Sequence, residues 1–419
     1  MRERSEFFRK HEAELKSILN RYKKWLLDDI MPFWDERVVD PVYGGYFNCF
    51  DRTGRLEETH KVGWFVGRDM YTYSLLYNEI EKRPDWMEIA SIGRKYLNTQ
   101  FAASNYHFNQ MLTQDGKVIK GFNSIFTDHF VAKGLFEYAK ATNLFFDRSE
   151  NVYIKAVTDQ LFKDVKDPEI LHMERVKPGT IKHAINFMTL IVALESEKVF
   201  GSTYLSVMKD CMENILYKFA NDDLNALLEV VNDDGTLHLA GLGRIFDAGH
   251  SMESCWFTMS AAERIRSKKY FERAMEILDW VWEKAYDSQY GGFFTQVDAI
   301  QHEPLPDSQF EMYTENHKIM WDDKIWWTHA EAIASHIIAA LYAEDEKMWN
   351  RFCVIDDYVT GCFKDSKYGE WFSVLNRDGD VKYDCKGFDS KGPYHVPRCM
   401  VVVIRAIEKY LKGELQTLD

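Results

Sequence analysis

Two histidines, His250 and His395, sit 145 residues apart in closely matching contexts. The first lies in Asp247-Ala-Gly-His250-Ser-Met-Glu253, the second in Lys391-Gly-Pro-Tyr-His395-Val-Pro-Arg398. Each follows a small or helix-breaking stretch, opens an apolar helical run, and has a charged residue three positions on. Imidazole is the side chain whose unperturbed pKa lies nearest neutrality. Two of them facing one cavity could serve as acid and base on opposite faces of a substrate. Pro397 suits the first turn of a helix, where its missing N–H costs nothing. A helix N-terminus carries partial positive charge and favours a neutral imidazole at His395, and Arg398 pushes the same way. At His250, the spacing lets Glu253 accept from the ring and fix its tautomer. Taken singly, each histidine reads more readily as structural, His395 as a helix cap or bonded to a local carbonyl and His250 as a surface ion pair with Glu253.

Three further segments carry candidate chemistry. Asp322-Asp-Lys-Ile-Trp-Trp327-Thr-His329-Ala-Glu331 pairs two tryptophans with a helix start. The tryptophans read as a core wedge or a sugar-stacking platform, and Thr328 with Glu331 has capping-box spacing. Arg68, in Trp64-Phe-Val-Gly67-Arg68-Asp69, is a cation early in an apolar, aromatic helix and needs a partner or a ligand there. His250 with Glu253, and His329 with His336, have metal-like spacing, but neither brings an obvious third ligand, so no metal is expected. The chain has no P-loop, GxGxxG, HExxH or GxSxG.

Helical periodicity dominates the elements that must position these residues. Apolar stripes recur over residues 9–30, 66–82, 124–142, 182–199, 203–219, 250–266, 268–285, 328–343, 345–361 and 396–411, with short hairpin-like stretches between several of them. Tyr43-Gly-Gly-Tyr-Phe-Asn-Cys-Phe-Asp-Arg-Thr-Gly54 resembles Tyr368-Gly-Glu-Trp-Phe-Ser-Val-Leu-Asn-Arg-Asp-Gly379, and Tyr290-Gly-Gly-Phe-Phe is a shorter copy. Terminal repeats of an open solenoid are usually atypical, so likeness of the first and last copies points to a closed ring. The expected fold is all-α, an (α/α)6 barrel or toroid with short β-hairpins in its connections. With nine prolines and no linker-like stretch, residues 1–419 read as one catalytic domain.

Composition narrows the partners. A net charge of −14 argues against nucleic acid and anionic membrane. No stretch is long and apolar enough to span a bilayer, and the first residues lack a signal-peptide core. Seven scattered cysteines without a CxxC pair fit free thiols in a reducing cytoplasm. The 12 Trp, 22 Tyr and 28 Phe exceed the needs of a helical core and suit a sugar-binding cleft.

Taken in order and spacing, several motifs resemble the N-acylglucosamine 2-epimerase family over about residues 33–411. They are Phe33-Trp34 with Tyr43-Gly-Gly-Tyr-Phe, Gly67-Arg68, Gly249-His250 with Glu253, Lys324-Ile-Trp-Trp-Thr-His329-Ala-Glu331, and His395-Val-Pro-Arg398-Cys. The resemblance implies an (α/α)6 barrel that epimerises or isomerises sugars at C2 through an enediolate. It implies that His250 and His395 are the acid/base pair and that Arg68 steadies the enediolate. Glu253 and Glu331 would orient them, with Arg398, Trp326 and His329 at the cleft. Cellobiose 2-epimerases and aldose–ketose isomerases carry a further histidine on a middle inner helix. Here that stretch has Met188 and Thr189, with His183 about a turn and a half too early. Met188 could offer an apolar niche to an acetamido methyl, which turns the expectation towards N-acetylglucosamine and N-acetylmannosamine. Other C2 sugar epimerases, mannose or cellobiose isomerases, and an (α/α)6 glycoside hydrolase using Glu253 and Glu331 stay open as alternatives. No cofactor is required by this chemistry. ATP, an activator of some members, could act only as an effector, and members are often homodimers.

Overall fold

The computed structural model describes residues 5–143, 147–301, 312–314, 317–415 and 418. Twelve long helices alternate in direction. They are α1 (Glu6–Trp25), α2 (Gly63–Glu79), α3 (Pro84–Tyr96), α4 (Ile125–Thr142), α5 (Arg148–Asp164) and α6 (His183–Phe200). Then follow α7 (Leu205–Asn214), α8 (Ala248–Ile265), α9 (Lys268–Ala285), α10 (Trp326–Ala343), α11 (Glu346–Tyr358) and α12 (His395–Lys412). The even-numbered helices form an inner ring, each packed on the next, with α12 closing against α2. The odd-numbered helices lie outside them, so the fold is an (α/α)6 barrel.

Burial pattern separates the two rings. Residues 326–341 of α10 are buried without a break, as expected of a helix enclosed on all sides. In α9 only a stripe is buried, including Phe271, Ala274, Ile277, Leu278 and Val281. Helices α3 and α5 are absent from the periodicity reading. Their buried stripes are narrow, Trp86, Ile89 and Ala90 in one and Ile154, Val157 and Leu161 in the other, and are interrupted by charged residues.

Short antiparallel strands pin the N-terminal ends of four inner helices to one end of the barrel. Lys61–Val62 leads into α2 and pairs with Met111–Leu112; Thr180–Lys182 leads into α6 and pairs with Val230–Asn232. Ile245–Asp247 leads into α8 and pairs with Gln296–Asp298; Lys324–Ile325 leads into α10 and pairs with Val374–Leu375. Because side chains near a helix start face this end, the chemistry collects there.

The repeated Tyr-Gly turns have a common construction. Asp40 Oδ1 accepts from the backbone of Val42 and Tyr43, and Asp287 Oδ1 from that of Gln289 and Tyr290. In the third copy Asp365 Oδ1 accepts from Lys367 N–H. Each aspartate also meets a buried lysine: Lys61 at 2.8 Å, Lys324 at 3.0 Å and Lys386 at 3.1 Å. The second turn position has positive φ, +74° at Gly45 and +69° at Gly292, which glycine adopts without strain. In the last copy Glu370 holds that conformation, its carboxylate accepting from Trp34 Nε1 at 2.7 Å.

That bond also joins the last copy to the first. Asn48 Nδ2 donates to Phe388 O at 2.8 Å, Phe50 N to Gly387 O at 3.0 Å, and Arg52 Nε to Asp365 Oδ2 at 2.7 Å. The most alike copies are the two that meet at the ring seam. Lys61 and Asp40 are both fully buried, so removing one partner strands a charge. Lys61→Met is therefore expected to destabilise the fold by about 3–5 kcal/mol, read as a lowered urea midpoint.

Candidate active site

His250 is the third residue of α8, and the capping Asp247 accepts from its backbone N–H at 2.9 Å. Its ring Nδ1 meets Glu229 Oε2 at 3.0 Å. The other oxygen of Glu229 lies 3.1 Å from Nδ1 of His183, the first residue of α6. Glu229 is held by its own backbone: it donates to Ile245 O, and its carbonyl accepts from His183 N–H. One buried carboxylate thus bridges the starts of two neighbouring inner helices.

The partner of His250 is therefore Glu229, not Glu253 as the three-residue spacing predicts. Glu253 turns to Arg398, whose Nη2 donates to its Oε1 at 2.7 Å. The same nitrogen is ion-paired with Glu331 Oε1. Glu331 also meets His395 Nδ1 at 2.7 Å and accepts from Trp256 Nε1 at 2.7 Å. It has no capping role, and Thr328 Oγ1 has no partner among the described residues. His395 is the first residue of α12, which places Pro397 in the first turn.

The two histidines have opposite electrostatic surroundings. Burial alone would lower His250, but Glu229 and Asp247 outweigh it and raise the ring to about 10. Burial lowers His395 well below the ordinary histidine range, and the Arg398 cation adds to this. These surroundings favour the imidazolium at His250 and the neutral ring at His395. In both rings Nδ1 faces a carboxylate and donates its N–H there, which leaves Nε2 as the nitrogen without a carboxylate partner.

Trp327 stands between them, its ring 5.4 Å from that of His250 and 5.7 Å from that of His395. Gly249 permits this approach, since a Cβ there would fall 2.2 Å from the indole. Gly249→Ala is expected to displace Trp327 and lower kcat/KM about tenfold or more, because misplacing a substrate wall is costly; steady-state kinetics on a variant with native circular dichroism reads this.

Arg68 lies in the second turn of α2, among the rings of Phe130 at 4.1 Å, Tyr394 at 4.9 Å and Trp64 at 5.2 Å. Its Nη1 donates to Ser390 O at 3.4 Å, and its buried Nε–H has no partner among the described residues. Burial lowers it to about 10, so it stays cationic at neutral pH with donating capacity to spare. Lys133 of α4 completes the wall, donating to Tyr394 Oη at 2.9 Å; burial, then Arg398, lower it to about 7. Arg398 Nη1 donates to the same hydroxyl at 3.0 Å.

Other expected cleft residues lie elsewhere. His329 is fully buried, its Nδ1–H donating to Ile325 O and its Nε2 accepting from Phe293 N–H, and it stacks on Tyr358 of α11. Burial lowers it to about 3, so it is a neutral packing residue rather than a cleft group. His336 is likewise buried, its Nδ1 on the carbonyl of Ala332. Trp326 packs edge-on against Phe388 at 5.3 Å and is the core wedge, whereas Trp327 is the tryptophan beside the two histidine rings. Met188 is buried in the core, and the side chain of α6 against the His250 ring is Phe187, at 5.2 Å.

Glu253, Glu331 and His395 offer ligand atoms within 4.8 Å of one another. The Arg398 Nη2 sits among them, 3.3 Å from His395 Nδ1, so a guanidinium already supplies the positive charge there. The same guanidinium nitrogen fills the space between the two glutamates, where a hydrolase would have to seat the glycosidic bond.

Glu229 and Lys133 were not singled out by the motifs, Tyr394 stood in them only as the neighbour of His395, and Trp327 only as one of a pair. Glu229 and Lys133 do carry a signal, each being a charge inside an apolar run: Ala226-Leu-Leu-Glu229-Val-Val and Phe130-Val-Ala-Lys133-Gly-Leu-Phe.

An (α/α)6 barrel with an imidazole pair and a buried arginine at one end defines a class of carbohydrate-active proteins. The family described as N-acylglucosamine 2-epimerase (GlcNAc 2-epimerase) matches residues 45–399, and the chain belongs to it. It is 28% identical to the N-acylglucosamine 2-epimerase of Mus musculus over 97% of this chain and 95% of that protein. It is 25% identical to the cellobiose 2-epimerase of Dictyoglomus turgidum over 94% of this chain and all of that protein. Among solved structures, cellobiose 2-epimerase from Spirochaeta thermophila superposes with a TM-score of 0.79 at 17% identity, covering 95% of this chain and 98% of that one. A D-mannose isomerase superposes at 0.77 and 18% identity, covering 93% and 98%.

Proposed function

We propose that the chain, acting as one catalytic unit over residues 1–419, interconverts N-acetyl-D-glucosamine and N-acetyl-D-mannosamine. The observation that carries this is the geometry of the two histidines: each ring is held through Nδ1 by a buried carboxylate, Glu229 at 3.0 Å and Glu331 at 2.7 Å, with the Trp327 ring between them. In the open-chain sugar, the C2 proton is acidic because it adjoins the C1 carbonyl. His395 Nε2 takes that proton. The electron pair moves to the C1 oxygen, and the Arg68 cation stabilises the resulting enolate, which is the counterpart of an enediolate in a sugar whose C2 bears nitrogen. His250 Nε2–H returns a proton to the other face of C2, which inverts the centre. In the reverse direction the two rings exchange roles.

Glu331 and Glu229 are positioning residues, each fixing one ring through Nδ1. Acid, base and oxyanion cation are all side chains, so the reading needs no cofactor or metal. ATP would enter only as an effector. Seven free thiols support a reducing, cytoplasmic setting, and no helix among the described residues is long and apolar enough to cross a membrane. The amino-sugar assignment leans on the mammalian relatives rather than on Met188.

Incubation with N-acetylmannosamine in D2O, followed by NMR, tests the reading. Deuterium should enter C2 as N-acetylglucosamine forms. Absence of exchange, with and without ATP, overturns the amino-sugar substrate. Exchange with mannose or cellobiose in parallel tubes would keep the mechanism and change the sugar.

A further inference from the structure

A second cluster of reactive side chains lies at the ring seam, where the first and last repeat copies meet. Cys49 follows the first Tyr-Gly turn, His60 precedes the strand leading into α2, and Asp389 follows the last hairpin. Asp389 Oδ1 stands 2.6 Å from His60 Nε2 and 3.6 Å from Cys49 Sγ. One ligand atom of each lies within 4.8 Å of the other two. The cluster opens on a cavity of about 1000 Å³ whose wall also includes Trp64, His317 and Phe388.

We propose that Cys49, His60 and Asp389 bind a divalent metal of the zinc class. A thiolate, an imidazole and a carboxylate form the mixed S/N/O set that Zn2+ and Co2+ favour and that Mg2+ does not. Tetrahedral bonds of about 2.3 Å to sulfur and about 2.0–2.2 Å to nitrogen and oxygen place neighbouring ligand atoms about 3.3–3.7 Å apart. The Cys49–Asp389 separation already meets this. The His60–Asp389 pair must open by about 1 Å, which the 40%-exposed Asp389 side chain is free to do. On binding, the metal replaces the thiol proton and any proton shared between His60 and Asp389, and these pass to solvent. The fourth position faces the cavity and takes water.

This cluster is distinct from the Glu253–Glu331–His395 group, where Arg398 holds the central position. At the seam no lysine or arginine is bonded to Asp389 among the described residues; its partners are His60 and Cys49. Cys49 and Asp389 are 340 residues apart in sequence, so one ion would tie together almost the whole chain. Clips that close long loops are favoured because they remove the most chain entropy from the unfolded state. The metal is thus a staple across the closure of the barrel.

Titration of the full chain with Co2+ tests the site. One equivalent should bind and produce a near-ultraviolet sulfur-to-cobalt charge-transfer band. Cys49→Ser should abolish that band, and His60→Gln should weaken Co2+ binding about tenfold or more. Cys353→Ser, which alters a thiol on α11, should change neither. Zn2+ should displace Co2+ and raise the melting temperature of the wild type but not that of Cys49→Ser. Absence of the band in the wild type, its survival in Cys49→Ser, or unweakened Co2+ binding in His60→Gln would overturn the site. An unchanged wild-type melting temperature with Zn2+ bound would overturn the staple.

Discussion

His395→Gln should lower kcat by about 10²- to 10⁴-fold, the range general acid–base catalysis contributes, and should stop deuterium entering C2 from D2O. The substitution is mild structurally. A glutamine amide can still donate to Glu331, which keeps its bonds from Arg398 and Trp256. The melting temperature should therefore move little while turnover collapses. Retention of C2 exchange in this variant would remove His395 from the reaction. The wild-type pH profile supplies the matching test. His395 must be neutral to act as base, and burial with Arg398 holds it well below the usual histidine range. Activity should accordingly persist as pH falls through 6.5 and be lost only at lower pH. His250 must be protonated to act as acid, and Glu229 with Asp247 raises it to about 10. Activity should fade as pH rises through that value. A broad plateau of kcat/KM bounded by these limbs is expected, and a narrow bell centred near pH 7 would contradict the assignment.

Local context in the sequence exposes much of this site. His250, His395, Arg68 and Arg398 each stand out as a charge or an imidazole at the start of an apolar helix. That placement follows from the fold, since inner helices begin at the open end of the barrel. The pairing of these residues was less legible. Glu253 lies three residues from His250, and side chains on a helix lean back onto the preceding turn, which favours that local pair. The tertiary fold overrides it by bringing a guanidinium from 145 residues away to Glu253. The actual partner, Glu229, comes from a strand connection 21 residues upstream, and only the tertiary fold brings it to His250. Trp326 and Trp327 illustrate the same limit at a single position. Successive helical residues point about 100° apart, so one tryptophan packs on Phe388 and the next lies against the two histidines. His329, only two positions on, is drawn into the packing between α10 and α11. The ring was legible for a different reason. Its repeat is built on local hydrogen bonds around Asp40, Asp287 and Asp365, and local rules are written in short motifs. Helices α3 and α5 have no such motif and bury little, so they left a weak pattern.

Glu229→Gln isolates the electrostatic device that, in the proposed reaction, would make His250 the acid. The amide keeps the volume of the carboxylate and can still accept from His250 through its oxygen, but the negative charge is gone. His250 should then fall from about 10 towards the ordinary histidine value, with Asp247 and, more weakly, Glu253 left to oppose burial. The direction of the kinetic change follows from the role of the group. A general acid with a lowered pKa is deprotonated over a wider range, so the alkaline limb of kcat/KM moves down towards neutrality. Each unit of that shift corresponds to about 1.4 kcal/mol of lost preference for the imidazolium. At pH 9 the loss should be on the order of tenfold to a hundredfold, while at pH 6, where His250 still holds its proton, the variant should lie much closer to wild type. A purely structural role for Glu229 would depress activity at every pH and leave the limb in place. The acid limb belongs to His395, which Glu229 does not contact, and should not move. A variant whose alkaline limb stays near pH 10 would show that the His250 proton is held by something other than this carboxylate, and the division of labour between the two histidines would have to be drawn again.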